Sequence, residues 1–281
     1  MKQLILNADD FGRHAAINEA VERGFREGLL RSATVMAGEP AFADAVAVAE
    51  RNAGLSVGLH CTLVDGRPVL PPEEVPSLVR GDGCFYPDHN AFFKRFFLGK
   101  IAPEEVRREL AAQLAKAEGA GLRLTHLDSH QHLHTLPGVI DIVVELAVKA
   151  KISALRIPAT DVFPAGIGIG EIVPGVARLG LRSLAERSRR KGRKAGLRMP
   201  EHFAGLVAGS AFTISHMLEL CQNLPEGTTE VMLHPGLDNV ILQQVSHWQH
   251  DFLEEFRTIT NAALPAELAG RQIEVVNFAA L

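Results

Sequence analysis

The chain has 281 residues, 47% of them hydrophobic and 22% charged, enough for a large core and unlike a disordered or low-complexity protein. Its 29 basic and 33 acidic residues give a net charge of −4, which excludes the strongly basic surface of a nucleic-acid or membrane-surface protein. No stretch approaches the roughly 20 apolar residues of a membrane span.

Short β-branched runs alternate with helical patterns along the chain. Residues 4–8 read as a strand, and Ile17, Val21, Phe25 and Leu29 then recur at helical spacing. Residues 32–36 form a second strand, followed by a helix from Pro40 to about residue 52. A third strand covers 55–63. An insertion rich in Pro and Phe then runs from 65 to 100 without clear periodicity and reads as a lid. Pro103-Glu-Glu opens a helix that ends near Gly119, with its acidic residues where the helix dipole favours them. Strands at 122–128 and 153–157 flank a helix over 139–150. Residues 161–227 hold a Gly-rich stretch, a basic run from Arg187 to Lys194 that reads as a solvated helix face, and at least one helix. Strands at 230–233 and 272–278, with a helix over about 245–263 between them, complete the set.

Such repeated strand–helix units imply a parallel sheet with right-handed crossovers, and about seven of them favour a barrel over an open sheet. Ala-Asp-Asp-Phe-Gly12 follows the first strand where a nucleotide-binding fold would carry its Gly-rich phosphate loop. No composition shift marks a domain boundary, so a single barrel domain over 1–281 is expected. The first apolar run stops after three residues, and Cys61, Cys84 and Cys221 are odd in number and widely spaced. A cytoplasmic protein with reduced thiols is therefore expected.

Barrel enzymes build their sites at the carboxyl ends of strands. Here those ends carry Asp9 and Asp10, His60, the segment His126-Leu-Asp128-Ser-His130-Gln-His132-Leu-His134, Arg156 and His234. Adjacent carboxylates repel, a cost that makes sense if a cation holds one and leaves the other as a base, although a turn or helix cap also favours Asp. A lone histidine in an apolar strand is more often a core residue, but Gly58 two positions earlier signals a close approach. On a fully extended strand His126 and His130 lie about 13 Å apart, so they cannot share one ion. His130, nearer the loop, is the better ligand. His126 and Asp128 then buttress the site from below, His132 faces substrate and His134 is exposed. Asp10, His60 and His130 make a two-histidine, one-carboxylate set suited to one divalent ion such as zinc or magnesium in Lewis-acid hydrolysis. Non-haem iron uses the same set, mostly on other folds. His234 can donate a proton to a leaving group, and Arg156 can orient Asp9 or bind an oxyanion.

Taken together, Asn7-Ala-Asp-Asp-Phe-Gly12, Val57-Gly-Leu-His60, Thr125-His-Leu-Asp-Ser-His-Gln-His132 and His234-Pro-Gly236 resemble the YdjC-like carbohydrate deacetylase family, which includes chitooligosaccharide deacetylases. Members linked to hopanoid biosynthesis are similar in pattern. The resemblance implies a distorted, TIM-like (β/α) barrel and removal of an N-acetyl group from an amino sugar, free or in an oligosaccharide or glycolipid. It also implies Asp10, His60 and His130 as metal ligands, Asp9 as general base and His234 as general acid. A different metal-dependent amidohydrolase, with two ions, and a non-catalytic sugar-binding barrel are the competing readings. The expected partner is a small acetylated sugar rather than a nucleic acid, and a homodimer stays open. The insertion carries Phe85, Tyr86, Phe92, Phe93, Phe96 and Phe97. Part of this segment would cover the substrate, or else Phe92, Phe93, Phe96 and Phe97, which recur at helical spacing, form the buried face of a short helix.

Overall fold

A computed structural model describes residues 1–159, 175–205 and 211–281; the Gly-rich stretch near 165–170 lies outside the described residues. The first strand, β1 (Lys2–Phe11), is buried along all but its first two residues. This is the pattern of a central strand covered on both faces, and it explains why the sequence shows a continuous apolar run rather than an alternation. Helix α1 (Ala15–Glu27) follows, capped by the His14 side chain, which accepts from the Ala16 amide. Next come β2 (Ser32–Val35), α2 (Phe42–Arg51) and β3 (Ser56–Cys61). Pro40 does not open α2: the Phe42 amide donates to Glu39 O, so a turn intervenes and the helix begins two residues later than expected.

The insertion is better ordered than its composition suggests. It holds a short 3₁₀ turn at Pro72–Glu74, paired bridges between Val64 and Tyr86 and between Val79 and Phe85, and helix α3 (His89–Phe97), whose cap is Asp88. Phe85 and Phe92 are fully buried, Phe93 and Phe96 pack against them, and Phe97 is 74% exposed. Two of the six rings are therefore core, and Tyr86, Phe93 and Phe96 are half-buried. Beyond it stand α4 (Pro103–Gly119), β4 (His126–Ser129), α5 (Val139–Lys149), β5 (Ala154–Leu155), α6 (Gly175–Lys194) and β6 (His202–Ala204). Three residues are too few to show a strand period, so β6 is invisible in the sequence. On α6 Arg187, Arg190, Arg193 and Lys194 are exposed as expected, but Arg189 is buried and donates to the Pro200 and Glu201 carbonyls.

The chain ends with α7 (Ile214–Asn223), β7 (Gly227–Leu233), α8 (Asn239–Ser246), α9 (Phe252–Ile259), α10 (Leu264–Gly270) and β8 (Ile273–Val276). The single helix expected over 245–263 is in fact broken. His247 takes a left-handed conformation (φ 51°) that ends α8, and Asp251 caps α9 afresh by accepting from the Glu254 amide.

All strand pairs are parallel, in the order β5-β4-β3-β2-β1-β7-β6. β8 lies beside the first half of β1, from Lys2 to Ile5, on the edge whose second half pairs with β2. Arg198, just before β6, bridges back to Ala154, with Leu155 N donating to Arg198 O at 3.0 Å. That bridge brings the two ends of the sheet together, so the layers form a distorted TIM-like barrel ringed by helices. Among the described residues no helix is long and apolar enough to cross a membrane.

Candidate metal centre and active site

In a regular strand Asp9 and Asp10 would face opposite sides. A bulge in the β1–β2 register between Ala8 and Phe11, with Asp10 left-handed at φ 61°, turns both carboxylates toward the barrel mouth. Asp tolerates that conformation better than most residues.

Asp10 Oδ1 lies 3.0 Å from His130 Nδ1 and 3.4 Å from His60 Nε2, and these two nitrogens are 3.4 Å apart. Ligand atoms held about 2.0–2.1 Å from one ion at tetrahedral or octahedral angles stand roughly 3–3.4 Å from each other. Asp10 Oδ1 is buried and has no hydrogen-bond partner, so its lone pairs are left for something else. The donor set therefore fits a divalent cation.

The other nitrogen of each histidine is held by a carboxylate. His60 Nδ1 donates to Asp128 Oδ1 at 2.8 Å, and His130 Nε2 donates to Asp65 Oδ2 at 3.3 Å. These contacts fix ring orientation and aim the free nitrogens inward. Burial by itself lowers the His60 pKa, but Asp128, Asp9 and Asp10 outweigh it and raise it to about 10. Burial likewise would raise Asp10, yet His130, His60 and Arg13 hold its carboxyl well below the usual range. Surroundings that favour a proton on His60 favour any cation at the same place.

A second layer lies beneath. Arg156 is fully buried and donates to both oxygens of Asp9 at 2.6 Å, and to Glu230 at 2.7 Å; its NH1 also lies 2.7 Å from Asp128 Oδ2. One guanidinium thus serves three carboxylates, and burial pushes the Glu230 carboxyl up to about 7. The Thr34 hydroxyl donates to Asp128 at 3.0 Å. Asp9, His60 and Asp128 also cluster closely enough to hold a metal, but Arg156 already neutralises that group and His60 Nδ1 is taken.

His126 sits lower still. Its Nε2 donates to Asn7 Oδ1 at 3.2 Å and its ring stacks on Phe278 at 3.6 Å. Gly58 makes room for it, because a Cβ there would lie 2.6 Å from His126 Cε1. After His130 the chain folds into a 3₁₀ turn in which Gln131 and His132 are left-handed. His132 is half-buried, edge-on to Phe203. His134, expected to be exposed, is buried. The two left-handed residues turn it back into the core, where it accepts from Ser129 Oγ at 2.6 Å and donates to Arg156 O at 3.0 Å.

His234 ends β7 on the opposite wall. Its amide donates to Glu255 on α9, and its ring lies edge-on to Trp248. Burial lowers its pKa, with Asp9, Asp10 and Glu255 acting in the other direction. Sequence reasoning missed Arg13, Asp65, Glu230, His250 and Glu255. The signal available for Glu230 was a carboxylate inside an otherwise apolar strand. A cavity of about 630 Å³ adjoins the centre, lined by Arg13, Asp65, Phe85 and Pro87 on one side and Val245 and His247 on the other.

The family model described as YdjC-like protein matches residues 3–269. The chain is 31% identical over 283 residues to a carbohydrate deacetylase of Brevibacillus brevis, covering 99% of each protein. It is 28% identical to a carbohydrate deacetylase of Thermoanaerobacter pseudethanolicus, with 100% of both covered. A crystal structure from Enterococcus faecalis V583, provisionally described as a cellobiose-phosphate cleavage protein, matches with a TM-score of 0.78 at 26% identity over 99% of this chain and 98% of that one. With the match running from the first strand to the tenth helix, the chain belongs to the YdjC-like family.

Proposed function

We propose that this protein is a metal-dependent carbohydrate deacetylase that hydrolyses the N-acetyl group of an acetylated amino sugar, alone or within a larger glycoconjugate. The observation that carries the reading is the convergence of Asp10 Oδ1, His60 Nε2 and His130 Nδ1 within 3.4 Å of one another. It occurs in a chain similar along its whole length to proteins called carbohydrate deacetylases. Those three residues would hold one divalent ion, zinc or magnesium. Bound there, such an ion supplies Lewis acidity that polarises the acetyl carbonyl and stabilises the oxyanion.

The chain's own groups do the rest. Asp9, held rigid by Arg156 and Asn7, accepts a proton from the attacking water. Because Arg156 is shared among three carboxylates, its charge does not belong to Asp9 alone. His234 delivers a proton to the departing nitrogen as the carbon–nitrogen bond breaks, leaving acetate and a free amine. A half-buried imidazole with a lowered pKa is a strong acid once protonated, which suits that step. His132 and the cavity beside Phe85 are the places for the sugar and whatever it carries.

Screening acetylated amino sugars by mass spectrometry for loss of one acetyl group tests the reaction. Asp9→Asn should keep its metal and fold while turnover falls roughly 10²–10⁴-fold. Near-normal turnover in that variant removes Asp9 as the base.

A further inference from the structure

A second group of ligand-type side chains stands at the barrel mouth and shares no residue with the first. His234, His250 and Glu255 each offer one ligand atom, all within 4.8 Å of one another. His250 comes from the extended segment between α8 and α9 and is 2% exposed. Neither of its ring nitrogens makes a hydrogen bond among the described residues; Nε2 lies 3.1 Å from Glu255 Oε1 but outside hydrogen-bonding geometry. A buried imidazole with two unused nitrogens is costly, and such groups usually have an unseen partner.

The neighbours fix this ring without occupying it. Trp248 stacks on His250 at 3.9 Å and 18°, leaving the ring edge, where both nitrogens lie, uncovered by that contact. Glu255 is buried; its two oxygens accept from the Phe212 and His234 amides, which holds the carboxylate in place and leaves each oxygen a further lone pair. His234 is half-buried and so gives a way in from solvent. His250 Nε2 and Glu255 Oε1 already stand 3.1 Å apart, so bringing all three donors to the roughly 3.4 Å spacing of ligands about one ion needs at most movement of the half-buried His234 ring.

We propose that His234, His250 and Glu255 form a second, weaker site for a transition-metal ion of the zinc type, and that filling it inhibits the enzyme by tying up His234. Two imidazoles and one carboxylate suit zinc or cobalt better than magnesium; at the first cluster the added charge of Asp9, Asp65 and Asp128 around the donors lets a hard ion such as magnesium compete. The inhibitory consequence rests on the proton-donor role proposed for His234, whereas the metal site itself does not.

The test is a zinc titration of the full-length protein with metal counted after equilibrium dialysis, alongside the same titration of His250→Phe, which keeps a flat ring against Trp248. The wild type should take up one tight and one weaker equivalent, and His250→Phe only the tight one. Deacetylation by the wild type should fall roughly 10²-fold as the weaker site fills, about the contribution of one proton donor. His250→Phe should keep its activity in the same excess of zinc, and excess magnesium should inhibit neither protein. A wild type that stops at one equivalent, or a His250→Phe that still takes two, overturns the proposal. If His250→Phe does not fold, cobalt titration of the wild type decides: two successive visible-absorption changes support the second site and one overturns it. Two bound ions in a protein with no deacetylase activity would sink the proposed reaction while keeping the site.

Discussion

The two histidine clusters at the barrel mouth use the same kinds of donor and are finished differently. Around Asp10 the far nitrogen of each ring is tied to a carboxylate, His60 to Asp128 and His130 to Asp65. Around Glu255 neither nitrogen of His250 makes a hydrogen bond among the described residues, Nε2 only lying 3.1 Å from Glu255 Oε1, and Trp248 stacks on the ring. Identical side chains thus acquire different affinity for a cation through what grips them from behind. The first cluster is backed by carboxylates; in the second the carboxylate is itself one of the donors and is held by two backbone amides.

Removing the charge beneath the first cluster should break this contrast most completely. In Arg156→Met three buried carboxylates, Asp9, Asp128 and Glu230, lose their shared cation. A loss of about 3–5 kcal/mol of stability is expected from leaving buried charges unpaired. Urea unfolding measures it, and a loss under about 1 kcal/mol would mean water or a proton replaces the guanidinium more easily than the burial suggests.

A gentler change sharpens the comparison. Asp128→Asn keeps the shape behind His60 but removes the anion, and metal affinity should fall roughly 10–100-fold in chelator competition. His126→Gln, at a ring that meets Asn7, Thr125, Gly58 and Phe278 rather than a metal-site donor, should leave affinity within a factor of about two by the same reasoning. Equal losses in both variants would mean the histidine and carboxylate backing does not set the site.

A separate effect is one of pH. Burial lowers His126 from its ordinary 6.5 to about 3 and His134 to about 4, so the folded protein refuses protons that the unfolded chain accepts. Their contribution is complete above about pH 6.5 and drains away as pH falls toward 4, at about 1.4 kcal/mol per pH unit for each ring. His126→Gln should flatten that slope by one proton, read from urea midpoints between pH 6.5 and 4.5. An unchanged slope would place the acid sensitivity elsewhere.

Much of the barrel was legible because its strands are continuous apolar runs and several helix ends are marked in the sequence; Pro103 and Gly119 bound α4 as the sequence suggests. Strand-end placement also picked out Asp10, His60 and His130, which the structure brings together. What stayed hidden were pairings across long stretches of chain. Asp65 meets His130 and Arg156 meets Glu230 only because the sheet curls, and a single sequence records no partner. His134 was misread for a local reason: two non-glycine residues, Gln131 and His132, adopt left-handed backbone where alternation assumes extended chain.

The arrangement of β1 also bears on how the molecule is made. This strand pairs with β2 close by, but with β7 and β8 only after more than two hundred further residues have been joined. Until those arrive, a run of eight buried residues that includes both site aspartates has one of its edges bare. Contacts so distant in sequence form slowly, and an unpaired apolar strand is the kind of surface that sticks to its neighbours. During synthesis the segment that anchors the chemistry is therefore made well before its partner strand β7 can protect it.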